Sequence, residues 1–161
     1  MGYFVSIDKE EQLIVVLALY ILELLHERKP KRMKVLRFIK ARELAHFNDD
    51  DTDLRSTGEE KWMNDFSWAR KDIKESALLA MPGFGIWQLT TKGNERLLQK
   101  AKRWKEIYEK DPASKTIFLK KCRRINATVF MHMIMLGRDE DIRKKPKIPA
   151  EPIGSPGSGT V

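Results

Sequence analysis

The stretch LIVVLALYILELL, Leu13 to Leu25, constrains this chain more than any other. It is apolar at every position except Glu23. It falls short of the roughly 20 residues that a membrane-spanning helix needs. It also lacks the basic start and small-residue cleavage site of a leader peptide. The expectation is a helix from near Asp8 to about His26 or Arg28, capped by the Asp8 carboxylate, with Glu10 and Glu11 in the favourable first turn. A helix apolar almost all round must be covered on more than one side. The rest of the chain therefore has to wrap it.

At 161 residues, with 34% charged and 42% hydrophobic positions, the composition is that of one globular domain with a heavily charged surface. A net charge of +8 suits a polyanionic partner. Cys122 is the only cysteine, so no intrachain disulfide forms, and a reducing cytoplasmic setting follows. His26, His46 and His132 are far apart, on different predicted helices, without metal-ligand spacing. No catalytic triad, phosphate-cradling glycine loop or dinucleotide fingerprint is present. Neither catalytic residues nor a metal nor a cofactor is expected.

After Pro30, a second helix is predicted over 31–47, with Met33, Leu36, Ile39 and Leu44 at helical spacing. The polar segment 48–58 reads as a loop. A third helix is predicted over 59–79, where Trp62, Phe66, Ala69, Ile73 and Ala77 make one continuous face. Two short strands follow, 79–81 and 86–90, turned by Pro82-Gly83-Phe84-Gly85, with Trp87 and Leu89 on one face. Thr90 or Thr91 starts a fourth helix reaching Lys110, and a fifth runs from Ala113 to Leu136, stopped by Gly137. The domain is thus expected over 1–137, with a Pro-, Gly- and Ser-rich disordered tail or linker over 138–161.

Three helices followed by a hairpin is the order of a winged helix-turn-helix, here with additional N- and C-terminal helices. In that fold the third helix enters the major groove. With Trp62, Phe66, Ala69 and Ile73 inward, Asn64, Ser67, Lys71 and Lys74 project from the other side, with Arg70 on the flank. These amide, hydroxyl and cationic groups are of the kind able to contact base edges or phosphates. The segment RKPKRMKVLRFIKAR, 28–42, carries eight cations and no acid. Lys34 and Arg37 from it, with Lys92, are the expected phosphate contacts.

The run FSWARKDIKESALLAMPGFGIWQLTTKG resembles the amino-terminal winged-helix domain of Mrr-type restriction proteins. The resemblance rests on Trp68-Ala69-Arg70, Leu78-Leu79, Gly85-Ile86-Trp87, Leu89-Thr90 and Gly93, densest over 62–96. It implies that Trp87 and Leu89 pin the wing to the core, and that Arg70 lies at or beside the nucleic-acid face. Phe84 stands where the family commonly places a basic wing-tip residue. The family's separate nuclease domain has only a local look-alike here, Asp53 with Glu59-Glu60-Lys61, in a loop and a helix start. The expectation is therefore a non-enzymatic reader of double-stranded DNA: the recognition component of a restriction or defence system, or a small transcriptional regulator. The alternative is a protein-interaction module that uses its wing or terminal helices.

In the fifth predicted helix, Phe118, Cys122, Ile125, Val129 and Met133 form a stripe, and Phe130 lies in a segment apolar on nearly every side. A surface patch of that size calls for cover. Cover comes from the first and fourth helices or from a second copy of the chain. A homodimer through these six residues is the expectation, because two-fold protein symmetry matches palindromic DNA.

Overall fold

The computed structural model describes Phe4 and residues 9–144, the last four by their backbone alone. Helix α1, Glu10–Leu24, runs through the middle of the core. Ile14, Val15, Leu17 and Ala18 are wholly buried, and the neighbours that cover them come from three sides. Burying each Val, Leu or Ile stabilises the fold by about 1.5–3 kcal/mol. The chain leaves α1 through His26, at φ +67°, and reaches the buried Pro30.

Helix α2, Arg32–Ala41, is shorter than the apolar spacing predicts. Glu43 adopts φ +55°, and Leu44 N–H donates to the Ile39 carbonyl, which folds Leu44 and Ala45 back into the core. Leu44 is thus buried as expected, but from a turn. A 3-10 turn at Asp49–Thr52 precedes helix α3, Lys61–Glu75. Trp62, Phe66, Ala69 and Ile73 of α3 are buried. Ala77, at φ +63°, ends the helical region before the expected Leu79 and points the chain into the wing.

The wing pairs β1, Leu79–Ala80, with β2, Gln88–Leu89, antiparallel, with Leu79 opposite Leu89. Its far edge is closed by the segment before α2. Trp87 N–H donates to the Pro30 carbonyl at 2.9 Å, and Lys31 bridges Ile86. The buried Trp87 thereby ties the wing to α1 and α2.

Helix α4, Thr91–Lys110, starts as expected, with the Thr90 hydroxyl accepting from Gly93 N–H at 2.9 Å. The single fifth helix of the sequence reading is two helices, α5, Ser114–Lys121, and α6, Ala127–Lys144. The break has a cause 113 residues away. The buried Glu10 carboxylate accepts from the N–H groups of Arg123, Arg124 and Ile125 at 3.1, 2.8 and 2.9 Å. Asn126 then caps α6 by accepting from Val129 N–H. Gly137 does not stop this helix, which continues to Lys144. A Cβ there would stand 2.8 Å from Lys105 Cβ and closer still to the Ala101 carbonyl, so glycine permits α4 and α6 to touch. The remainder of the expected tail, 145–161, lies outside the described residues.

The cover for the apolar C-terminal segment is intramolecular. Val129, Phe130, Met133 and Ile134 are wholly buried, and Ile125 is nearly so. Phe130 packs at 5.1–5.6 Å from the rings of Phe4, Trp104 and Tyr108, and Phe118 lies 4.7 Å from Phe4. Phe118 and Cys122 are half-buried against the same core. Of the six residues expected at a two-fold contact, Ile125, Val129, Phe130 and Met133 fill the chain's own interior, while Phe118 and Cys122 stay partly exposed.

Candidate nucleic-acid interface

The buried stripe of α3 turns its opposite side outward. Lys71 and Lys74 are exposed, and among the described residues neither forms an ion pair. Lys71 Nζ lies 5.0 Å from the centre of the Trp68 ring, a cation–π pairing that holds the ammonium over the helix. Trp68 itself is 57% exposed. Periodicity marks it out, since it sits about a third of a turn off the Trp62–Phe66–Ala69–Ile73 stripe. The sequence reading used Trp68 only as a family signature and missed it as a surface residue. Asn64 shares this face, half-exposed.

Ser67 is committed elsewhere. Its hydroxyl accepts from Arg32 Nε and donates to the Met63 carbonyl, both at 2.9 Å. Arg32 in turn reaches Glu59 at 2.5 Å. Arg70 lies under the wing, with Nη1 3.5 Å from the Met81 sulfur and the guanidinium 5.9 Å from the Trp87 ring. Among the described residues its buried Nε has no hydrogen-bond partner. Sulfur is a weak acceptor, so most of the donor capacity of this guanidinium is unspent.

Of the expected phosphate contacts, Lys34 pairs with Glu27 at 3.2 Å, and Lys92 donates to the Ser76 carbonyl at 3.2 Å. Arg37 is exposed on α2. The acidic segment 48–60 neutralises part of the basic run, where Arg32 and Lys40 meet Glu59 and Glu60, and at the start of α3 Lys61 meets Asp50. The free cations of α2 and α3 are therefore a selected few. The flank of α3 toward α1 is acidic, with Asp65 bonded to Arg124 and Asp72 accepting from Gln12. At the wing tip Phe84 is 98% exposed between Gly83 and Gly85. Gly85, at φ +71°, takes a turn conformation that a side chain would strain.

Behind α3, Arg124 is 3% exposed and binds Glu11, Asp51, Asp65 and the His46 carbonyl. Burial alone would raise the Asp51 carboxyl. The Arg124 and Asn48 hydrogen bonds and the charges of Arg124 and Lys61 outweigh it, holding Asp51 below its ordinary 3.8. This cluster fixes α3 relative to α1 and to the α5–α6 junction.

A family model described as the Mrr N-terminal domain matches residues 16–99, just over half of the chain. The chain belongs to the Mrr N-terminal domain family. No curated protein and no solved structure gives a match. The Mrr N-terminal segment takes in α2, α3, the wing and the first half of α4, together with most of α1. Glu10, Glu11 and Arg124 lie beyond it, although Arg124 clamps Asp51 and Asp65 inside it. Among the described residues no group of three His, Cys, Asp or Glu side chains is placed to hold a metal ion. Glu59 is spent on Arg32 and Glu60 on Trp62 Nε1. No helix among the described residues is long and apolar enough to cross a membrane.

Proposed function

We propose that this Mrr N-terminal domain protein binds double-stranded DNA in the cytoplasm through the outward face of α3. It acts there as the recognition component of a restriction or defence system, reading DNA without cutting it. The observation that carries the proposal is the pair Lys71 and Lys74, exposed and, among the described residues, free of ion pairs, while Arg32, Lys34, Lys40 and Lys61 each meet a carboxylate. Unpaired cations on a groove-sized helix are what phosphate contact requires. Asn64 and Trp68 lie beside them for contact with base edges and sugars, and Arg70 has donors to spare. Arg37 adds a flanking phosphate contact. One copy of the chain is sufficient for this arrangement.

Replacing Lys71 and Lys74 together by Glu abolishes duplex binding in a gel-shift at fixed salt, while the circular dichroism spectrum is retained. Unchanged affinity defeats the proposal. A second reading, a protein-interaction module, is favoured by one observation: Phe84 is 98% exposed at the wing tip. Its signature is association with a protein that resists salt and is lost in Phe84→Ser.

A further inference from the structure

Helix α4 holds a concentration of charge that the reading face does not use. Lys92, Arg96, Lys100 and Arg103 fall within a quarter turn of one another on a helical wheel. Lys9, just before α1, comes up beside Arg96 and Lys100. Together with Gln12 they line a cleft of about 130 Å³ whose floor is Leu13, Val16 and Leu97. Among the described residues, Lys9, Arg96, Lys100 and Arg103 form no ion pair. Burial pushes the Lys100 amine down from its ordinary value, and the charges of Lys9, Arg96 and Arg103 push it further the same way. Cations crowded around a half-buried amine repel one another, and that repulsion is relieved by an anion.

The shape of the charge identifies the anion's class. From Lys92 to Arg103 the row extends roughly 16 Å along the helix axis, which suits a polymer of phosphates better than a single ion. Its near end meets α3, because Lys92 donates to the carbonyl of Ser76, the residue that ends α3. We infer that α4 carries a second phosphate track, in which Arg96, Lys100 and Arg103, with Lys9, hold the backbone of double-stranded DNA beyond the C-terminal end of α3. The inference rests on duplex binding but not on α3 being the reader.

The test compares the full chain with the variants R96Q/K100Q/R103Q and K71E/K74E. Anisotropy titrations in salt use duplexes of about one and about two and a half helical turns, roughly 10 and 25 base pairs. The α4 variant is expected to keep its fold, by circular dichroism and thermal melting, because it removes repulsion. On the long duplex its log–log salt slope should fall by about 2–3, near 0.9 per lost contact, with little change on the short one. An unchanged slope on the long duplex overturns the track, and leaves the proposed function standing if K71E/K74E abolishes binding. Loss in the α4 variant alone, with K71E/K74E unaffected, keeps the track and overturns α3 as reader. Failure of the parent to bind either duplex overturns both.

Discussion

Arg124 grips Asp51 by two parallel bonds, Nη1 to Oδ2 at 2.8 Å and Nη2 to Oδ1 at 2.9 Å. The same guanidinium gives Nε to Glu11, its other Nη1 hydrogen to the His46 carbonyl, and its other Nη2 hydrogen to Asp65. All five donors of the arginine fork are thus used. Removing it strands carboxylates in the interior, which typically costs 3–5 kcal/mol. Arg124→Met should therefore lower the urea-unfolding free energy by about that amount, and Arg124→Lys, lacking the fork, should recover little. A loss under about 1 kcal/mol would mean the cluster is solvated.

The cluster also fixes an acid limit. Asp51 is lowered in the folded chain relative to 3.8, so its contribution is fully present above that value and is lost as pH falls through the folded one. Asp51→Asn should destabilise the protein near pH 7. The gap between parent and variant should close as the solution is taken below about pH 3.8. Urea midpoints measured across that range check the sign.

Trp62, Trp87 and Trp104 are at most 1% exposed, which leaves Trp68 as the accessible indole. Acrylamide should quench a single emitting component, and that component should be missing from Trp68→Phe. A duplex bound across α3 should protect it. Quenching that is unaffected by a saturating duplex would count against DNA lying on this face.

Gly137→Ala opposes two effects. In an isolated helix alanine is favoured over glycine by about 1 kcal/mol. Here the added Cβ collides with the Ala101 carbonyl and Lys105 Cβ, forcing α4 and α6 apart. Overpacking of this kind costs about 1–3 kcal/mol, so the variant should melt below the parent in a thermal scan.

The Cys122 thiol is pushed up to about 12, first by burial and then by the charge and hydrogen bond of Glu10. It should react slowly with a disulfide reagent near pH 8, because only the thiolate attacks. The rate should rise when urea unfolds the chain, or when Glu10→Gln removes the neighbouring charge.

The local part of this fold was legible. The inward face of α3 and the Thr90 cap follow from spacing within a few residues of themselves, and the Trp87 anchor from the family resemblance. The long-range part was not. A helix read from Ala113 to Leu136 is locally reasonable, and only the Glu10 carboxylate, 113 residues earlier, dictates its break. Gly137 looks like a stop signal unless the Ala101 backbone is known to press against it. The cover of Phe130 is likewise non-local, since the rings of Phe4 and Trp104 that meet it are remote in sequence. At the site, the cations of α3 were found by pattern. Which cations are already neutralised depended on where the 48–60 acids fold, and pattern carries no such information.

The clamp at Arg124 separates kinship from self-sufficiency. A fragment cut to residues 16–99 would keep α3 and the wing but lose Glu10, Trp104, Arg124 and Phe130. It would cut α4 short, strip α6 from it, and leave Asp51 without Arg124. Anyone transplanting this domain onto another protein should carry α1 through α6 as one piece. The smallest portable unit is set by a single arginine, not by the reach of shared ancestry.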